Sequence, residues 1–561
     1  MRRLLLCALA ATVAGALAVP VGAGAQTTST QQANLQSATG EYVVLYKSTA
    51  AAGAAKAAIK AAGGTVLHEN SAIGMATVRS DRADFIAAVS GKAGVAGAAR
   101  NRAIGAVPHL SRKSLDVEKE ARGQAKGKLV KDAAAVKDAE PLAHLQWGMR
   151  MVNATTSGSY RIDKGSHRVL VGVMDTGIDG SHPDLARNFN RRLSRNFTTD
   201  IPLIDGPCED EPDHSCNDPA DVDEDGHGTH VAGIIGAAIN GLGVSGVAPD
   251  VGLVNIRAGQ DSGFFFLDAT INAMVYAGQV GIDVVNMSFF TDPWLFNCAA
   301  NPADSPQEQI EQRTIIAATQ LAVDFARARG VTFVAAYGNE HIDLGKPTTD
   351  TTSPDFPPGT AKTRTVDNSC IDVPTETNGV ISTTALGPSG RKADYSTYGI
   401  EGADVSAPGG WFRDFFGSPQ FRVVENEILS TAPKDVVAPF LDPNGVPTIP
   451  DVVRDCKGSV CAYYQYLQGT SMASPHAAGV AALVVSAHGH RDTRHGGLTL
   501  NPATTERILE ATAEDTPCPT PPLQTYTSEG RDPSFNALCE GTLEHNGFYG
   551  FGVVDALAAV L

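Results

Sequence analysis

Apolar and polar positions change rhythm several times along this chain. Arg2 and Arg3 precede an apolar stretch at residues 4–18, which is short for a membrane span, and Ala23-Gly24-Ala25 follows as an A-x-A pattern. Residues 1–25 therefore read as a secretory signal cleaved before Gln26, in preference to an uncleaved anchor or a lipoprotein modified at Cys7. Residues 26–39 are a loose Thr/Gln/Ser/Ala leader. Residues 42–46 then run Tyr-Val-Val-Leu-Tyr, a buried strand. An Ala-rich helix is expected over 50–62, stopped by Gly63-Gly64. Strands follow at 65–67 and 74–78, a short helix at 84–89, and a weak strand near Ala103-Ile104. This β-α-β-β-α-β order predicts a small ferredoxin-like α+β unit within 26–108. Residues 109–140 alternate Lys, Arg, Asp, Glu and Ala, the pattern of a solvated helix or flexible linker. An exposed connector of that kind is where proteolytic processing is easiest.

From residue 141 to 561 the rhythm is different. Continuous apolar runs at 169–174, 251–256, 284–287 and 331–336 alternate with helical stretches at 228–238, 269–277 and 314–328. Strands apolar on both faces and separated by helices predict an α/β domain, with a mostly parallel sheet covered on both sides. Segments 201–222, 290–312 and 410–462 are rich in Pro, Gly and Asp and read as surface insertions.

Composition adds two points. Formal net charge is −17, but its distribution is uneven. Through residue 140 there are 18 Lys+Arg against 10 Asp+Glu, so the front is basic and the body strongly acidic. The two parts attract each other, and the acidic body is unsuited to nucleic acid. Apart from Cys7 there are eight cysteines, an even number that suits disulfides in an exported chain. Proximity favours 208–216, 456–461 and 518–539, leaving 298–370; spacing alone does not decide among the many pairings.

Three segments carry chemistry. Asp175 follows the strand at 169–174, in Asp175-Thr176-Gly177. His227 lies in Asp225-Gly226-His227-Gly228-Thr229-His230 at a helix start. Ser471 lies in Gly469-Thr470-Ser471-Met472-Ala473-Ser474-Pro475 at another. A serine hydroxyl needs a neighbouring base to become nucleophilic; His227 supplies one, and a buried Asp175 would orient the imidazole. Asp179, His182, His230 and His476 lie near these motifs and read as structural partners.

In the order Asp, His, Ser, these motifs resemble the subtilisin-like serine protease family, over nearly everything from Pro141 to Leu561. The resemblance implies a secreted endopeptidase acting on protein or peptide substrates through an acyl-enzyme, with no cofactor for catalysis. It implies an oxyanion hole from the Asn339 side chain and the Ser471 N–H, and a substrate-lining region at Ser288, Phe289, Phe290 and Gly338. Phe289 and Phe290 stand where the family commonly has Leu-Gly, which predicts narrowed subsites. Asp184 and Asn240 resemble part of the family's structural calcium site; the acidic run Asp218, Asp221, Asp223 and Glu224 is a second candidate or a solvated loop. Residues 41–105 resemble the family's inhibitor-like propeptide, implying a self-processing zymogen whose propeptide acts as an intramolecular inhibitor. The mature enzyme is expected to be a monomer with no nucleic-acid or membrane partner.

Two rival readings are weaker. An esterase of the α/β-hydrolase type needs the order Ser, Asp, His and a G-x-S-x-G elbow, and has neither here. A non-catalytic binding protein on the same scaffold predicts a missing triad or oxyanion residue, and none is missing.

Overall fold

The computed structural model describes residues 40–101, 103–106, 117–121, 138–202, 205–210, 214–289, 294–354 and 361–561. The signal-like stretch, the leader and Phe290 lie outside the described residues.

The first unit is a four-stranded antiparallel sheet, in spatial order Thr65–Asn70, Met75–Arg79, Glu41–Tyr46, Val95–Arg100. Helices Ala52–Ala61 and Phe85–Val89 pack on it. The fourth strand is Val95–Arg100, not the Ala103-Ile104 segment. Val-Ala-Gly-Ala-Ala-Arg has weak strand propensity, and it is recruited by the open edge of Glu41–Tyr46. A Cβ at Gly97 would sit 2.3 Å from Thr314 Oγ1, so glycine admits the close approach of the helix beneath. Ala103–Ala106 instead pairs antiparallel with Phe264–Phe266 of the main domain.

The main domain holds a seven-stranded sheet in spatial order Val405–Pro408, Val380–Leu386, Thr332–Ala336, Val284–Met287, Leu170–Met174, Gly252–Arg257, Arg195–Asn196. Every pairing in it is parallel. The chain begins at Leu170–Met174, extends to one side, and then crosses back to build the other. The ends of Leu170–Met174 and Val284–Met287 thus flank a topological switch point, where open α/β sheets place their sites. Helix Pro306–Arg327 begins inside the segment read as an insertion. Ser305 and Glu308 form a capping box with Pro306 in the first turn, which starts the helix two turns early.

The first unit docks on helices Leu267–Val280 and Pro306–Arg327. His68 meets Asp268 at 2.9 Å, and Arg100 lies 3.8 Å from Glu311. Val43, Leu45 and Met75 join Ile315 and Ala318 in one apolar cluster. The basic-to-acidic attraction is therefore supplemented by shared hydrophobic burial.

Four disulfides join Cys208–Cys216, Cys298–Cys370, Cys456–Cys461 and Cys518–Cys539. The second closes a sequence separation of 72. Replacing both of its cysteines by alanine is expected to cost about 4 kcal/mol of unfolding free energy through loop-closure entropy. The urea midpoint should fall accordingly; an unchanged midpoint would show that the bridge does not stabilise the fold.

Candidate active site

Asp175 follows the central strand and is fully buried. Its Oδ1 accepts the Thr176 N–H at 2.8 Å and lies 2.8 Å from His227 Nδ1. His227 is the first residue of helix His227–Gly236. Asp223 anchors that helix: Oδ1 accepts from the Gly226 N–H and Thr176 Oγ1, and Oδ2 from the Thr229 N–H and hydroxyl. A Cβ on Gly228 would come within 2.2 Å of the Gly177 carbonyl. Only glycine lets the His227 helix approach the Asp175 turn this closely.

Ser471 is buried in the first turn of helix Thr470–His488, which packs against the His227 helix. Pro475, four residues on, has no N–H to offer the Ser471 carbonyl. That carbonyl instead accepts from Ser288 Oγ at 2.9 Å, and Ser288 Oγ is held in turn by Asn286 Nδ2 and Ser474 Oγ, each at 2.8 Å. The Ser288 side chain thus sits beneath the Ser471 turn, while its carbonyl lies 3.5 Å from Ser471 Oγ. Phe289 is buried in the core, stacked on Phe265 with centroids 4.1 Å apart. Gly338 has φ +105 and donates its N–H to Thr470 Oγ1. Asn339 Oδ1 accepts from the Thr470 N–H at 2.9 Å and from Thr470 Oγ1 at 3.0 Å, which fixes the amide and leaves Nδ2 facing the Gly469 side of the cleft.

The arrangement is a buried carboxylate on a histidine with a serine helix alongside, at a sheet switch point. The subtilase family model matches residues 166–552, more than half of the chain. The chain belongs to the subtilase family. As such it is a serine-type endopeptidase. It is 29% identical to subtilisin DY of Bacillus licheniformis over 323 residues, which is 58% of this chain and 78% of that protein. It is 28% identical over 335 residues to the thermophilic serine proteinase of Bacillus sp. (strain AK1), covering 60% of this chain and 56% of that protein. It thus spans little more than half the length of several relatives. In fold it resembles the epidermin leader peptide processing serine protease of Staphylococcus aureus, with TM-score 0.59 and 20% identity, covering 93% of this chain and 97% of that one. No described helix of this subtilase is long and apolar enough to cross a membrane.

One occupant of the site was not legible in sequence. Residues 117–121, part of the charged connector, lie against His227 and Gln468 of this subtilase. Glu118 Oε1 is 3.6 Å from His227 Nε2. A Cβ on Gly469 would be 3.0 Å from Glu118 Oε1 and 3.5 Å from Asn339 Nδ2, so the carboxylate borders the amide of the sequence-predicted oxyanion hole. Burial opposes a charged His227, but Asp175 and Glu118 together override it and raise its pKa well above the ordinary value. Both carboxylates favour the charged form of the imidazole while Glu118 is in place.

The other sequence-predicted residues are dispersed. His182 Nε2 meets the Tyr463 carbonyl, His230 Nε2 the Gln465 carbonyl and His476 Nδ1 the Met472 carbonyl. Asp179 accepts from the Ser181 N–H and hydroxyl. The acidic run splits up: Asp218 pairs with Arg257, Asp221 with Arg191, and Asp223 caps the His227 helix. Asp184 and Asn240 do come together, with Asn240 Nδ2 donating to Asp184 Oδ1 at 3.0 Å. Glu140, missed in sequence, joins them by accepting from the Gly241 N–H at 3.0 Å. Tyr464 OH closes one side at 2.8 Å from Asp184 Oδ2. Burial pushes Asp184 up to about 7. Asn240 Oδ1 and Glu140 Oε2 are buried oxygens without a hydrogen-bond partner. Orphaned oxygens beside a buried carboxylate fit a hard cation.

Proposed function

We propose that this chain is exported as a self-processing zymogen and hydrolyses peptide bonds through Asp175, His227 and Ser471. The observation that carries the reading is the 2.8 Å contact of Asp175 Oδ1 with His227 Nδ1, buried beside the Ser471 helix. With the proton of His227 on Nδ1 and directed at Asp175, Nε2 can accept the Ser471 proton whenever Glu118 does not contact it. Ser471 Oγ then attacks the scissile carbonyl carbon to form an acyl-enzyme. His227 returns the proton to the departing amine, and water repeats the cycle in reverse. The oxyanion is received by Asn339 Nδ2 and the Ser471 N–H.

Removing the Asn339 amide by Asn339→Ala is expected to lower kcat by about 10²–10³ with a smaller change in KM. Steady-state kinetics check this, and a loss under tenfold would remove Asn339 from the hole. Calcium would be held by Asp184, Asn240 and Glu140, where it would neutralise clustered carboxylates and stiffen the loop; catalysis makes no use of it. In the zymogen, the docked first unit and the Glu118 segment keep the cleft closed.

The deciding experiment is casein hydrolysis by the secreted protein, with and without a serine-directed phosphonylating inhibitor. Hydrolysis that the inhibitor abolishes supports the reading, and hydrolysis that ignores it overturns the Ser471 route.

A further inference from the structure

Two residues beyond Glu118, the connector enters a second arrangement that inhibition of the triad does not require. Glu120 is buried and gripped by two arginines. Its Oε1 accepts from Arg413 Nε at 2.5 Å, and its Oε2 from Arg531 Nη2 at 2.7 Å. Gln468 Nε2 reaches the same Oε2 at 3.3 Å and the Val117 carbonyl at 2.7 Å, while the Gln468 N–H donates to the Glu118 carbonyl at 3.2 Å. Gln468 stands three residues before Ser471, so the segment runs along the loop that carries the nucleophile.

The clamp is built independently of its occupant. Arg531 Nε donates to Asp394 at 2.6 Å, and Arg413 Nη1 donates to the Glu529 carbonyl at 2.7 Å. The Phe412 N–H holds Gln468 Oε1 at 2.6 Å, which aims the amide donor at the clamp. The Glu529 carboxylate is occupied by Arg391 at 3.2 Å. When Glu120 leaves, Asp394, on Arg531, is the one carboxylate left in an ion pair with the two guanidiniums among the described residues, so the pocket is one negative charge short. A guanidinium pair with a fixed amide donor is suited to a carboxylate.

We propose that Arg413, Arg531 and Gln468 form a carboxylate-binding subsite beside the catalytic serine, filled by Glu120 in the zymogen and by an acidic side chain of the peptide substrate afterwards. The inference rests on the peptidase reading above. It makes the mature enzyme selective for Glu or Asp at one position near the scissile bond, a position that neither the triad nor the oxyanion hole specifies. The same chemistry explains why an acidic residue of the connector is drawn there.

The test uses protein matured from the full chain and a set of quenched fluorescent peptides built on one cleaved sequence. Glu or Gln is placed in turn at each of three positions on either side of the cleaved bond. At pH 8 the carboxylate peptide should be cut about tenfold faster in kcat/KM than its amide twin at one position, chiefly through KM, as expected for a charge-assisted pair. Arg413→Gln and Arg531→Gln should bring that ratio within about twofold of unity. Arg531→Lys, which keeps Asp394 paired and covers the case where Arg531→Gln does not fold, should leave a ratio of about three because an ammonium lacks the guanidinium fork. A flat ratio at every position in the wild type, with the peptides otherwise cut, overturns the subsite alone. A ratio that persists in the arginine variants also overturns it. Failure to cut any peptide or casein overturns the peptidase reading and the subsite with it.

Discussion

Ser471→Ala is expected to lower peptide-bond hydrolysis by a factor on the order of 10⁶, the loss that follows when one member of a coupled triad is removed. It should also leave the secreted chain joined to its first unit. The substitution removes a hydroxyl and little else. The Ser471 carbonyl would still accept from Ser288 Oγ, and the Thr470 N–H would still donate to Asn339. A fold-based explanation of the loss is therefore testable: the thermal midpoint should match that of the parent, while casein hydrolysis disappears. N-terminal sequencing of secreted parent and variant supplies the second readout. A parent that begins within residues 106–142 beside a variant still carrying residues from about 26 onward identifies the cut as the chain's own. A variant processed like the parent would assign the cut to another protease.

Asp175→Asn should cost roughly 10⁴-fold in kcat, with the fold retained. Asp175 Oδ1 receives both the Thr176 N–H and the His227 ring, so one oxygen positions the turn and the base together. The amide of asparagine has lost the negative charge that stabilises the imidazolium formed when Ser471 gives up its proton. Its Nδ2–H group can also donate to His227 Nδ1, which moves the ring proton to Nε2 and disables the base. The sign of the pH effect follows. Asp175 is one of the two carboxylates that raise His227, so the variant's histidine titrates lower and residual activity should set in at a lower pH. The kcat/KM profile of parent and variant reads both effects. A loss under tenfold would leave Asp175 as a structural carboxylate only.

The same two carboxylates face the two ring nitrogens of His227. With Glu118 opposite Nε2, the charged form of His227 is favoured. In the proposed mature enzyme Asp175 alone would face the ring, so His227 would titrate lower than it does beside both carboxylates, as suits a base near neutral pH.

Local chemistry was legible along the chain. Glycine is demanded beside the histidine by backbone approach, an acid is needed after the first core strand, and Pro475 follows the serine at the spacing that frees its carbonyl. Each of these constraints is satisfied within a few residues, so Asp175, His227 and Ser471 stand out as candidates in short motifs, and the parallel α/β class was legible from apolar runs. Tertiary structure decided whatever depends on a partner distant in sequence. Val95–Arg100 became a strand because an edge was open to it, against its own propensity. Ser288 became a support under Ser471, and Phe289 a core residue stacked on Phe265, because side-chain direction depends on what packs above the strand. Glu118 and Glu120 sit in a connector whose charges look like those of any solvated segment. Their meaning comes from His227, Arg413 and Arg531, up to 411 residues away in the chain. Charge identity is local, but charge pairing is a property of the folded molecule.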